Sequence, residues 1–163
     1  MSLFNKRWLL IGILPLIACG FEPIYGTKKL TNSFMGKIDV KISNGRNAFE
    51  LRDRLIARLG TSEVNSTYLL KYKSKIKSKS LTISKNDDVT RYTLQGKTSF
   101  KLIETSSKNV IYTDTVVSNT AYSATVGTYP TAIAERDANI RLSRDMADKI
   151  VTLLLITAED WLK

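Results

Sequence analysis

The segment LLKYKSKIKSKS, residues 69–80, constrains the fold most, because every second position from residue 71 to residue 79 is a lysine. Side chains of a β-strand alternate between its two faces, so this spacing predicts five ammonium groups on one face. Same-face neighbours about 6.5 to 7 Å apart repel by ~0.6 kcal/mol per pair in bulk water, and salt screens much of that. The sequence tolerates this modest folding cost, which suggests an anionic partner. The five residues are Lys71, Lys73, Lys75, Lys77 and Lys79.

The next segment, VTRYTLQGKTSFKLIE, alternates as well and predicts the second strand of a hairpin. The turn-rich stretch SKNDD separates the two strands. Only a loop with an odd number of residues, such as residues 85–87, pairs Leu70 with Leu102 and Tyr72 with Phe100. The same register sets lysine opposite lysine at two positions, a cross-strand arrangement that is unfavourable without counter-ions. The hairpin therefore predicts a basic sheet face. Its pairs are Lys71 with Lys101 and Lys75 with Lys97, and Arg91 belongs to the same face.

Two more strands and two helices are predicted around this hairpin. KIDVKIS, residues 37–43, alternates like a half-buried strand, and NVIYTDTVVSNTAYS reads as a fourth strand whose alternation is blurred around Asp114, as at a β-bulge. NGRNAFELRDRLIARLG predicts a helix capped by Asn47 and ended by Gly60. Its apolar stripe is Leu51, Leu55, Ile56 and Leu59, and its charged face, Arg52, Asp53, Arg54 and Arg58, is predicted to be solvated.

A second, longer helix is predicted from about Pro130, with apolar residues at three- and four-residue spacing. The simplest way to bury both apolar stripes is to pack the two helices on one face of a sheet. We therefore predict an α+β fold, a two-layer sandwich of order β-α-β-β-β-α with a four-stranded mixed sheet. The opposite face of the sheet is then open. The long stripe is Ala134, Ala138, Leu142, Met146, Ile150, Leu153 and Leu154.

The N-terminal segment resembles a secretory signal that ends at a lipidation site. Residues 1–18 have a positive start, an apolar run too short to span a bilayer, and a small residue before Cys19, the chain's one cysteine. The sequence LIAC resembles a bacterial lipobox, which implies diacylation of Cys19; the alternative is an ordinary buried cysteine. By bacterial sorting rules, Gly20 implies the outer membrane, on its periplasmic face. We predict a lipidated tether over residues 19–36 and a single domain over residues 37–163.

Charge and composition narrow the function further. Lys plus Arg outnumber Asp plus Glu by 25 to 15, so the surface attracts polyanions, but export makes nucleic acid a remote partner. There is no histidine, which excludes histidine-based triads and histidine metal sites. Ser74 and Lys77 match an S-x-x-K pattern, but positions three apart on a strand point to opposite faces. We therefore predict a protein that is not an enzyme and has no metal or cofactor.

Two motifs resemble a known family. CGFEPIYG, residues 19–26, and YPTAIAERDANIRLSRDMADKIVTLL, residues 129–154, are similar to the mature start and the C-terminal helix of the lipopolysaccharide-assembly lipoproteins, LptE, in their alphaproteobacterial branch. The resemblance implies an outer-membrane lipoprotein that plugs a β-barrel partner, LptD, helps it fold, and helps insert lipopolysaccharide into the outer leaflet. An auxiliary lipoprotein of an intermembrane phospholipid transport system is the alternative.

The basic face then has three interpretations. Its lysines bind phosphates of lipopolysaccharide, or they keep a strand soluble as a solvated charge run, or they face acidic groups on the barrel wall. The candidate lipopolysaccharide-binding residues are Lys71, Lys73, Lys75, Lys77, Lys79, Arg91, Lys97 and Lys101.

Overall fold

The computed structural model describes five stretches of the chain: residues 35–41, 46–62, 66–82, 90–124 and 128–162. The predicted signal peptide, Cys19 and nearly all of the predicted tether lie outside these residues. The order of elements is β1 (Ile38–Val40), α1 (Arg46–Leu59), β2 (Tyr68–Thr82), β3 (Thr90–Glu104), β4 (Val110–Ser123), α2 (Thr128–Ile156) and α3 (Ala158–Trp161). The predicted order is confirmed, with the four-residue α3 as an addition.

The four strands form one mixed sheet in the order β1-β2-β3-β4. β1 runs parallel to β2, and the remaining neighbours are antiparallel. The hairpin register is the predicted one, since Leu70 pairs with Leu102 and Tyr72 with Phe100, and it continues without a shift to the pair Thr82 and Thr90. The strands β2 and β3 are each 15 residues long, about 50 Å at 3.3 Å per residue. The sheet is thus unusually long for its width.

Both helices pack on one face of the sheet. Helix α2 lies over β3 and β4, and α1 packs beside it against β1. Three residues of the predicted stripe of α1, Leu51, Leu55 and Leu59, are fully buried, and the fourth, Ile56, is partly buried against the same core. On α2, five of the seven predicted residues are buried, while Ala134 and Leu153 are partly covered. The five are Ala138, Leu142, Met146, Ile150 and Leu154.

Two details of the helix ends differ from the sequence-based predictions. Asn47 was the predicted cap of α1, but the helix already begins at Arg46. A cap residue has a non-helical backbone, so Asn47 inside the first turn is not the cap. Helix α2 begins at Thr128 rather than Pro130. Pro130 is tolerated in the first turn, because a backbone N–H group there has no acceptor within the helix. Gly60 ends α1 as predicted, in the left-handed conformation at φ +87°.

The prediction that the charged face of α1 is solvated is wrong for its three arginines. Arg52 Nε donates to the carbonyl of Val40 at 3.4 Å, and the other two contact Asp148. Arg54 donates to both carboxylate oxygens of Asp148 on α2, with Nη2 2.9 Å from Oδ2 and Nε 3.0 Å from Oδ1. Arg58 Nε lies 3.4 Å from Asp148 Oδ1. Asp148 thereby links the two helices, and its hydrogen bond and charge raise the pKa of Arg54. The spacing of charged residues in the sequence identifies the polar face of a helix, but it does not identify the element that packs against that face.

Helix α2 lies close to the sheet at a glycine on β3. A Cβ atom on Gly96 would lie 2.6 Å from the sulfur of Met146, nearer than Cβ atoms come to other heavy atoms in proteins. Thr98, two residues along the same face, has its hydroxyl 3.2 Å from the same sulfur and donates to Ser74 at 2.9 Å. Glycine at residue 96 lets α2 settle onto the centre of the sheet.

Candidate anion-binding face

The open face of the sheet carries the candidate residues, and the alternation of β2 and β3 decides their positions. Even-numbered residues of both strands point toward the helices, where Leu70, Leu94 and Phe100 are buried. Odd-numbered residues therefore point away from the helices. All eight sequence-predicted residues have odd numbers and all are exposed. The structure thus brings the eight together on one surface, which we call the basic face: Lys71, Lys73, Lys75, Lys77, Lys79, Arg91, Lys97 and Lys101.

The register brings like charges opposite one another on the basic face. Lys71 is opposite Lys101 and Lys75 is opposite Lys97, as predicted. Directly opposite residues on neighbouring strands have Cβ atoms about 4.5 to 5.5 Å apart, so the two ammonium groups of each pair extend into the same region of solvent. None of the eight cations forms an ion pair with any residue that the structure describes.

A cavity of about 420 Å³ lies at the middle of the basic face. It is partly open to solvent and takes its polar donors from β2 and β3. Ammonium groups bind phosphate oxygens as point charges, and neighbouring hydroxyl and amide groups add hydrogen bonds to the same anion. The cavity therefore suits a group that carries several negative charges. Its lining residues are Lys73, Lys75, Lys77, Gln95, Lys97 and Ser99.

Strand β4 completes the open face with uncharged side chains. Thr115 exchanges a hydroxyl hydrogen bond with Ser99 at 3.0 Å, and Val117, opposite Lys97, is 46% exposed. The ladder between β3 and β4 is irregular at one end, where the register shifts between Leu102 and Ile103, beside Ile111. Sequence analysis expected a bulge around Asp114, but that residue pairs regularly with Phe100.

The open-face positions of β2, β3 and β4 hold no acidic residue over the described lengths of these strands. On the open side of the sheet, β1 contributes Asp39, which lies opposite Leu69, just before the row begins at Lys71. The charge of the basic face is therefore largely uncompensated within the described part of the sheet. Such a surface attracts anions over about one Debye length, near 8 Å at physiological salt.

The serine and lysine of the S-x-x-K pattern are separated by the sheet, as predicted. Ser74 is half-buried on the helix side, while Lys77 lies on the open face. In the described ranges, no cluster of three or more acidic side chains could hold a metal ion. No helix among these residues is long and apolar enough to cross a membrane.

A family model described as lipopolysaccharide-assembly, LptE, matches residues 35–154, most of the 163-residue chain. The chain belongs to the LptE family. The match begins just before β1 and ends near the end of α2, so it includes every strand of the sheet and both strands of the basic face. Membership assigns the chain to lipopolysaccharide assembly in general and to the lipoproteins of the outer membrane. Among curated proteins, none matches the chain in sequence.

Three solved lipoproteins have the same fold. A putative lipoprotein from Caulobacter crescentus CB15 superposes with a TM-score of 0.67 at 16% identity, covering 79% of this chain and 96% of that one. Rare lipoprotein B from Shewanella oneidensis gives a TM-score of 0.59 at 12% identity, with 78% and 98% covered. A minor lipoprotein from Acinetobacter baumannii gives 0.56 at 18%, with 76% and 92% covered. At these identities the likeness establishes the fold alone.

Proposed function

We propose that this protein is lipidated at Cys19, is held on the periplasmic face of the outer membrane, and assists and plugs the lipopolysaccharide-exporting β-barrel LptD. The family match over residues 35–154 carries this proposal. Two or three acyl chains hold a protein stably on a bilayer, since each buried methylene contributes ~0.8 kcal/mol. The protein makes no covalent change to its ligand. It acts by binding the barrel and by helping lipopolysaccharide pass into the outer leaflet.

The basic face supplies the contact to lipopolysaccharide in this proposal. Its eight cations have no ion-pair partner among the described residues, and its central cavity is lined by four lysines. Lipopolysaccharide presents phosphate groups near its acyl chains, and ammonium–phosphate hydrogen bonds are charge-assisted. Such binding weakens as salt rises.

The partner is tested by extracting the acylated, full-length lipoprotein in mild detergent and identifying what co-purifies. A much larger β-barrel protein is the expected companion. Repeated recovery of the intact lipoprotein by itself contradicts the barrel proposal. Recovery of inner-membrane transporter components, with equal binding of phospholipid and lipopolysaccharide, assigns the chain instead to intermembrane phospholipid transport.

The basic face is tested by reversing Lys73, Lys75 and Lys77 to Glu and measuring binding of purified lipopolysaccharide at low salt. Binding is expected to fall on the order of tenfold or more, because three charge-assisted contacts become repulsive. A matched control reverses three exposed arginines of α2, Arg136, Arg141 and Arg144, which changes the net charge equally on the other layer. Equal losses in both variants, or none in the first, leave the lysines as a solvated surface.

A further inference from the structure

The free edge of β2 is the feature that the proposed function leaves unused. β1 pairs with β2 over three positions, from Tyr68 to Leu70. Beyond Leu70, β2 continues to Thr82 with β3 as its partner on one side and no other described strand on the other side. Among the residues that the structure describes, nothing pairs with residues 73–81 on that side, and there they form a free sheet edge.

The hydrogen bonds to β1 show which backbone groups point out of this edge. The N–H of Tyr68 donates to Lys37 at 3.0 Å, and the carbonyl of Leu70 accepts from Lys41 at 3.1 Å. Even-numbered residues of β2 thus direct their backbone groups toward the β1 side. The regular pairing with β3 preserves this alternation along the strand. Four residues, Ser74, Ile76, Ser78 and Ser80, consequently direct N–H and C=O groups outward from the free edge.

The opposite edge of the sheet, on β4, differs because side chains bond to some of its outward backbone groups. On β4, the carboxylate of Asp114 accepts from the N–H of Thr115 at 2.6 Å, and Lys149 of α2 donates to the carbonyl of Val117 at 3.1 Å. Asp145 holds Lys149 in place, with Oδ2 2.9 Å from the ammonium nitrogen. Side chains therefore occupy two outward backbone groups at the middle of the β4 edge. Proteins commonly block an edge in this way against unwanted pairing.

The lysines decide what kind of strand fits the free edge of β2. A strand added there in antiparallel orientation would have its side chains opposite Lys73, Lys75, Lys77 and Lys79 at non-hydrogen-bonded positions, where side chains lie closest. A second copy of β2 would bring lysines against lysines, which is unfavourable. A strand with carboxylates at alternate positions would neutralise the row. The charged edge gains specificity because it disfavours a second copy of β2 and favours a strand that carries carboxylates.

We infer that residues 73–81 of β2 are a docking edge for an extended, acidic segment of a partner protein, which adds a strand to the sheet. Its backbone pairs with Ser74, Ile76, Ser78 and Ser80, and its carboxylates, at every second position, face the lysine row. Main-chain hydrogen bonds supply affinity in this mode of recognition, and the alternate side chains supply specificity.

The inference is tested on the full-length protein with two synthetic peptides of equal composition. One alternates glutamate with valine or threonine; the other has its glutamates in one block. The alternating peptide is expected to bind on the order of tenfold more tightly, because only it aligns carboxylates with the row. On binding, the amide protons of Ile76, Ser78 and Ser80 are expected to exchange more slowly. Equal affinity for the two peptides, or unchanged exchange, overturns the inference.

Two variants separate strand addition from simple charge attraction. Ser78→Pro removes one outward N–H without removing a bond to β3, so binding is expected to fall, while Ser78→Ala is expected to bind normally. Should Ser78→Pro unfold the hairpin, reversing Lys75 and Lys77 to Glu supplies a second test. That variant is expected to prefer a peptide that alternates lysine with valine. Loss of all peptide binding without this switch contradicts the acidic-strand assignment. Both proposals use the lysine row, but only strand addition needs the outward N–H of Ser78, so Ser78→Pro is expected to leave lipopolysaccharide binding unchanged and either proposal can fail alone.

Discussion

The two faces of the sheet are built from the same strands and have opposite properties. On the helix side, side chains of β2 and β3 such as Leu70 and Phe100 are fully buried, and the hydroxyl of the polar Thr98 donates to that of Ser74. On the open side, Lys75 and Lys97 face each other with no described counter-ion. The first face stabilises the fold, whereas the second adds repulsion to it. A surface that the fold does not need is a surface available for binding.

Gly96 offers the largest test of this contrast, because it lies where α2 approaches the sheet. Gly96→Ala places a methyl group 2.6 Å from Met146 sulfur and 3.3 Å from a methyl of Leu142. Overpacking of this kind costs ~1–3 kcal/mol, and alanine recovers ~0.4–1 kcal/mol of backbone entropy. We expect a net loss of about 1–2 kcal/mol in the free energy of unfolding, measured by urea denaturation.

The neighbouring position on the other face is the control for Gly96. Gln95 is exposed on the open side, and Gln95→Ala is expected to change the free energy of unfolding by less than about 0.5 kcal/mol. Adding Met146→Ala to Gly96→Ala should give a smaller loss than the sum of the two single changes, because the second truncation makes room for the first. A Gly96→Ala protein as stable as the natural one contradicts the close packing.

The alternation of the sequence was sufficient to predict which face each strand residue occupies and how the hairpin pairs. Leu70 beside Leu102 follows from period two and the parity of the loop. The eight candidate cations share one surface for the same reason. These predictions succeed because a slip of one residue would turn every apolar side chain of β2 toward solvent.

Contacts between elements distant in the chain were not predictable in this way. Arg54 finds Asp148 across 94 residues, and no local pattern relates them. Trp161 of α3 packs edge-on against Tyr68, with ring centres 5.4 Å apart, although neither segment predicts the other. The open β2 edge was also missed, because it depends on how early β1 ends. The spacing of apolar residues predicts which face of a strand or helix is buried, whereas these contacts depend on how the elements pack against one another.

Asp145, at the boundary between α2 and β4, provides a smaller, pH-dependent test. Partial burial works to raise its pKa, but hydrogen bonds from Ser118 and Lys149 outweigh burial and lower the pKa below the ordinary value of 3.8. A lowered folded-state pKa contributes stability that is present above the ordinary pKa and is lost as pH falls through the folded pKa. The group is half-exposed, so the contribution is expected to be below about 1 kcal/mol.

The comparison of natural protein with Asp145→Asn isolates this contribution. Natural protein is expected to be the more stable near neutral pH, and the difference should shrink as pH falls below about 4, when the carboxylate is protonated. Thermal unfolding across that range measures it. A difference that stays constant with pH assigns the effect to shape rather than charge.

A similarly small effect concerns the open face itself, and there a substitution should stabilise the fold. Lys75→Glu replaces the like-charge pair with Lys97 by an opposite-charge pair, and such cross-strand pairs contribute ~0.2–1 kcal/mol. Stability at low salt is expected to rise from lysine to glutamine to glutamate at residue 75, and the differences should narrow at high salt. The same series should bind lipopolysaccharide with decreasing affinity. Opposite trends in stability and binding would show that the row is retained for its ligand; parallel trends would show that Lys75 stabilises the sheet after all.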